Sequence, residues 1–115
     1  MAKKIAEQLI DTLVESGVER IYAVTGDSLN EVNEAVRKNN KIQWIHVRHE
    51  ETGAYAAAAE AQLTGRIGCC AGSSGPGHVH LINGMHNAQE HRSLPSLPPS
   101  PAENSGLNIF RRPIL

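Results

Sequence analysis

Three times in its first ninety residues the chain passes from a short apolar run, through a turn of small or polar residues, into a stretch with helical character. Ile21 to Val24 leads through Thr25-Gly26-Asp27 into a helix carrying Leu29, Val32 and Val36 on one face. Ile42 to Val47 leads through Arg48-His49-Glu50 into Ala54–Leu63, where six alanines and a leucine are strong helix formers. Ile67 to Ala71 leads through Gly72-Ser73-Ser74-Gly75-Pro76-Gly77 into a helix from about His78 to Gln89. Ahead of all three, Ile5, Leu9, Ile10, Leu13 and Val14 recur at helical spacing, with Gly17 placed to end that helix. Strands returned by helices pair in parallel and need cover on both sides. The expected fold is therefore α/β: a three-layer parallel sheet with helices on both faces.

The three strand-to-helix turns of such a sheet share one rim, the rim at which ligands bind. Glu50 stands at the end of a strand and the start of a helix. The helix amino terminus favours its charged form, whereas burial would favour the neutral one. The plainer reading, a glutamate that only complements the helix dipole, stays open on these residues alone. Arg48 and His49 beside two glutamates also fit a solvated charge cluster. Ser28-Leu29-Asn30-Glu31 has the capping-box pattern and is expected to open its helix that way.

The glycine-rich segment Gly72–Gly77 lets backbone N–H groups approach a ligand closely, but a simple tight turn explains it as well. It lacks the Lys-Ser or Lys-Thr of a phosphate-binding P-loop and the glycine spacing of a dinucleotide fingerprint. His78 and His80 do not share a helix face and have no acidic or thiol partner at fixed spacing, so no metal-binding residues are assigned.

Charge and composition narrow the function classes. A net charge of −1 and a pI near 6.6 offer no basic footprint for nucleic acid or a membrane surface. No run is long enough to span a bilayer, and Met-Ala-Lys-Lys leads into an amphipathic helix rather than a signal sequence. With only 3% aromatic residues, the core has to be aliphatic and alanine-rich. Cys69 and Cys70 are adjacent in a strand and so point to opposite faces. Free buried thiols in a reducing, cytoplasmic setting are expected rather than a disulfide.

Taken together, Ile21–Asn30, Arg48-His49-Glu50-Glu51, Ala59–Leu63, Cys70–Gly77 and Leu81-Ile82-Asn83-Gly84 closely resemble the amino-terminal pyrimidine-binding domain of thiamine-diphosphate enzymes. The likeness is strongest to the flavin-dependent pyruvate oxidases and covers residues 1 to about 88 in order. It implies a flavodoxin-like domain, here truncated to residues 1–89. It implies that Glu50, which directly follows the Arg-His pair, hydrogen-bonds the ring nitrogen of the cofactor's aminopyrimidine and so activates the cofactor. Thr25, Gly26, Asp27 and Gly72, Ser73, Ser74, Gly75, Pro76, Gly77 match loops that line the cofactor and substrate pocket, and His49 and Asn83 match positions near it. The resemblance further implies a 2-keto acid substrate such as pyruvate, a homo-oligomer, and sites formed between subunits. Mg²⁺ and FAD would be held by domains that this chain does not carry, and the GDG…N motif for the metal is not present in it. The alternatives are a non-catalytic or self-associating remnant and an independent small-ligand module.

From about residue 90 the character changes. Ser93–Pro101 has three serines and four prolines, which suit no central strand. In a shifted reading register Leu107–Leu115 can be encoded as LEYFQETHP and Ser93–Pro98 as VPAVLA, both like segments that the family has here. The expectation is a one-base insertion or deletion near Ala88–His91, with a natural Pro/Ser-rich linker as the alternative. Residues 90–115 are then an irregular tail, and the sheet is left with an open edge that favours aggregation or self-association.

Overall fold

The computed structural model describes residues 2–90 and the backbone of 94–95 and 107–111. Helix α1 (Ile5–Glu15) turns Ile10 and Leu13 inward, while Ile5 at its start stands 85% exposed. Gly17, at φ +90°, reverses the chain with its N–H on the Val14 carbonyl, a conformation that suits glycine. Strand β1 (Arg20–Ala23) follows, then a 3₁₀ turn over Asp27–Leu29 and helix α2 (Asn30–Asn39), closed by Asn40 in the left-handed region. Strand β2 (Gln43–His46) leads to helix α3 (Glu50–Thr64), which starts four residues earlier than its alanine run and is capped by Gly65. Strand β3 (Gly68–Ala71) is buried along its whole length. The single helix expected after it is two, α4 (Pro76–His80) and α5 (Ile82–Glu90), separated at Leu81.

Strands β2, β1 and β3 are parallel neighbours, with Tyr22 opposite Ile45 on one side and Cys70 on the other. Side chains alternate across this sheet. Ile21, Ala23, Cys69 and Ala71 join the α1/α2 layer, together with Ile10, Leu13, Leu29, Val32 and Val36. Cys70 and Tyr22 join the α3/α5 layer, with Ala54, Ala57, Ala58, Ala61, Leu81 and Ala88. The expected three-layer arrangement is thus the observed one. The adjacent cysteines are free, buried, and on opposite faces, as expected. Burial pushes the Cys69 thiol up to about 12 and the Cys70 thiol well above its usual value.

The edge of β3 differs from expectation. Strand β5 (Leu107–Arg111) lies antiparallel on it, pairing Ala71 with Leu107 and Gly68 with Phe110, and β4 (Leu94–Pro95) pairs with β5 outermost. The segment 90–115 is therefore not irregular throughout, and β3 is not an open edge. Leu107 to Arg111 has no proline, so every residue has an N–H for a ladder, whereas Ser93–Pro101 is rich in proline. Residues 96–101 of that proline-rich run lie outside the described residues.

Candidate functional site

Parallel strands bring the carboxyl ends of β1, β2 and β3 to one rim, and the glycines there set how closely the three turns meet. A Cβ on Gly26 would lie 2.4 Å from Cβ of Ser73, so the first and third turns touch because residue 26 has no side chain. Ser28 joins them further: its Oγ accepts the Ser74 N–H at 2.9 Å and lies 3.0 Å from Ser73 Oγ. This corrects the expected capping box. Ser28 sits inside the 3₁₀ turn, Leu29 occupies the cap position, and no side-chain cap is made there. The hydroxyl ties two loops together instead of capping its own helix.

The middle turn supplies the acid. His49 caps α3 by accepting the Glu51 N–H on Nδ1 at 3.2 Å, which places Glu50 as the first helical residue. The Glu50 side chain is only 12% exposed. It packs against the glycine loop: a Cβ on Gly72 would lie 3.1 Å from Glu50 Cγ, and one on Gly77 would lie 3.0 Å from Glu50 Oε1. Its other oxygen, Oε2, is 2.9 Å from Nδ1 of His80 at the end of α4. The rings of His80 and His49 stack, with centroids 4.4 Å apart. Asn83 on α5 donates to Glu51 Oε2 at 3.2 Å.

Burial pushes the Glu50 carboxyl up, but the His80 hydrogen bond, its own backbone N–H and the charges of His80 and His49 outweigh this. They hold it below the usual glutamate value.

Of the residues singled out from sequence, Gly26, His49, Glu50, Gly72, Ser73, Ser74, Gly77 and Asn83 belong to this connected rim. Gly75, at φ +74°, and Pro76 form the bend into α4. Thr25 and Asp27 are exposed on the first turn and make no side-chain hydrogen bond to the cluster among the described residues. Two participants are not legible as such in the sequence: Ser28, whose neighbours form a capping-box pattern, and His80, which shares no helix face with His78. His80 in fact reaches across to α3, while His78 Nδ1 is buried without a partner among the described residues. One ligand atom each from His49, Glu50 and His80 lies within 4.8 Å of the others. A cavity of about 580 Å³ lies elsewhere, between α2 and β2 near Asn33, Arg37 and Trp44, and is lined by none of the candidate site residues.

Comparison with known proteins agrees with this architecture. The chain is 54% identical over 78% of its length to an uncharacterized 42.6 kDa protein encoded in the isoamylase 3' region of Pseudomonas amyloderamosa. It is 50% identical over 77% of its length to the putative thiamine pyrophosphate-containing protein YdaP of Bacillus subtilis. To the pyruvate oxidase of Lactiplantibacillus plantarum it is 48% identical over 71% of its length. The matched regions span 22%, 16% and 14% of those relatives, respectively. The family model for the N-terminal TPP binding domain of thiamine pyrophosphate enzymes matches residues 3–95. The chain belongs to that family, as a thiamine pyrophosphate enzyme N-terminal domain.

Proposed function

We propose that residues 1–89 form the pyrimidine-binding wall of a pyruvate oxidase-like enzyme that decarboxylates a 2-keto acid such as pyruvate. The observation that carries this reading is Glu50: a carboxylate 12% exposed, at the ligand-binding rim, on the first turn of α3. The residues around it suit a flat heteroaromatic ring. Glycine at 77 leaves Oε1 uncovered on the side where any larger residue would press its Cβ against it. The glycines at 26 and 72 hold the neighbouring loops close without placing side chains between them.

In this reading Glu50 shares a proton with the ring nitrogen of the aminopyrimidine, and the Gly72–Gly77 loop offers backbone groups beside it. When bound, thiamine diphosphate supplies the nucleophile and the electron sink for decarboxylation. His80 holds Glu50 charged in its absence and gives up that hydrogen bond to the ring. Mg²⁺, FAD and the diphosphate fall to other domains of such an enzyme. The exposed Tyr55 (40%), Val79 (57%) and Ile82 (45%) on α3, α4 and α5 favour association of this same layer with another copy or domain.

Calorimetric titration of the chain with thiamine diphosphate and Mg²⁺, beside a Glu50→Gln variant, tests the reading. Saturable binding that weakens about tenfold or more in the variant is the expected result, since a hydrogen bond to a charged group is at stake. Binding of equal strength in both proteins would overturn the role of Glu50.

A further inference from the structure

We propose that His49, Glu50 and His80 together chelate a divalent transition-metal ion of the Zn²⁺ class. The proposal rests on the geometry of the cluster and not on the thiamine reading. Two imidazole nitrogens and one carboxylate oxygen lie within 4.8 Å of one another, from the cap of α3, its first residue and the end of α4. In a tetrahedral Zn²⁺ site with bonds of ~2.0–2.1 Å, ligand atoms sit roughly 3.4 Å apart. The ligand atoms therefore have to draw together by up to roughly 1.4 Å, and the stacked rings, 27° from parallel, have to turn so that their nitrogens converge. This movement falls on two exposed imidazoles: His49, whose Nδ1 keeps the Glu51 N–H, would offer Nε2, and His80, 43% exposed, would exchange its Glu50 hydrogen bond for the ion.

The donor set selects the ion. Two histidines and a carboxylate suit Zn²⁺ and its neighbours, whereas Mg²⁺ and Ca²⁺ favour oxygen ligands throughout. Three protein ligands, two exposed histidines and one largely buried carboxylate, leave a fourth position for water, the pattern of an open rather than a closed structural site. The amino terminus of α3 opposes a cation, and the charge of Glu50 offsets that opposition at close range. The ion would replace the Glu50–His80 hydrogen bond with two bonds to itself and hold α4 against the start of α3. Anything else that needs the Glu50 carboxylate is then excluded.

The test uses the full chain and Zn²⁺ alone, followed by calorimetry, with Co²⁺ as a spectroscopic stand-in. One ion per chain is expected, with the visible bands of tetrahedral Co²⁺. His80→Ala and His49→Asn should each weaken binding at least about tenfold. Asparagine at position 49 is itself a good helix cap, so that variant removes the ligand while keeping the start of α3. His86→Ala, on the exposed side of α5, should leave affinity unchanged. Absence of saturable binding at one ion per chain would overturn the proposal. So would equal affinity in the His80→Ala and His49→Asn proteins, with circular dichroism showing both folded.

Discussion

The two sides of the parallel sheet are packed by different means. On one side α1 and α2 rest on Ile10, Leu13, Val32 and Val36, so branched side chains hold helix and strand apart and fill the space between them. On the other, α3 contributes Ala54, Ala57, Ala58 and Ala61, and glycines receive it. A Cβ on Gly68 would lie 2.0 Å from the Ala57 carbonyl oxygen, and one on Gly84 would lie 2.3 Å from Ala54 Cβ. Here backbone approaches backbone. Arg20 adds an ion pair to Glu60 at 2.6 Å that links the start of β1 to the body of α3. The first layer derives its stability from buried volume, and the second derives position from the absence of volume. It is the second layer that carries Glu50, His80 and Asn83. A helix seated this closely has little freedom to slide, so its first turn is fixed against the rim.

This contrast can be broken by experiment. The largest effect is expected from Ile10→Ala on the aliphatic side, which empties a fully buried position and should lower the urea-measured stability by about 2–5 kcal/mol. A loss below this range would mean that the layer can collapse around the gap. Next comes Gly84→Ala, which adds one methyl group on the alanine side and should cost about 1–3 kcal/mol through overpacking. Ala54→Gly in the same chain should recover part of that loss, because the nearest clash is with Ala54 Cβ. A neutral Gly84→Ala would end the claim that the second layer tolerates no growth.

The smallest effect concerns the two cysteines, one on each face. Because burial raises both thiols, the native state disfavours the thiolate while the unfolded chain does not. The resulting stability is fully present below roughly pH 8.5, the ordinary cysteine value. It falls as pH rises from there toward the folded value of about 12 for Cys69. Thiol labelling at increasing pH should modify Cys69 and Cys70 together, and only as the chain unfolds. Earlier labelling of Cys70 would show that the alanine side opens independently.

Much of the rim could be read from neighbours in sequence. Glu50 was locatable because a β-branched run ends just before it and a run of alanines begins just after it. The loop Gly72–Gly77 was visible through its glycines, and the placement of Cys69 and Cys70 on opposite faces follows from strand periodicity alone. The tail was not legible, because the pairing of Leu107–Arg111 with β3 depends on a partner some forty positions earlier and not on neighbours in sequence. The same holds for Ser28. Its local context matches a capping box, and its actual partners lie 45 and 46 residues away.

The sequence by itself determined the order of strands and helices as far as β3, the rim on which the three turns meet, and the carboxylate at its centre. Those features depend on backbone preference and on the period of apolar residues, which neighbours within a few positions decide. The tertiary structure alone decided that His80 would meet Glu50 across 30 residues, that Ser28 would join two loops, and that β5 would close the edge of β3. Each of these contacts joins residues far apart in the chain, and no local pattern records how closely two distant backbones will approach.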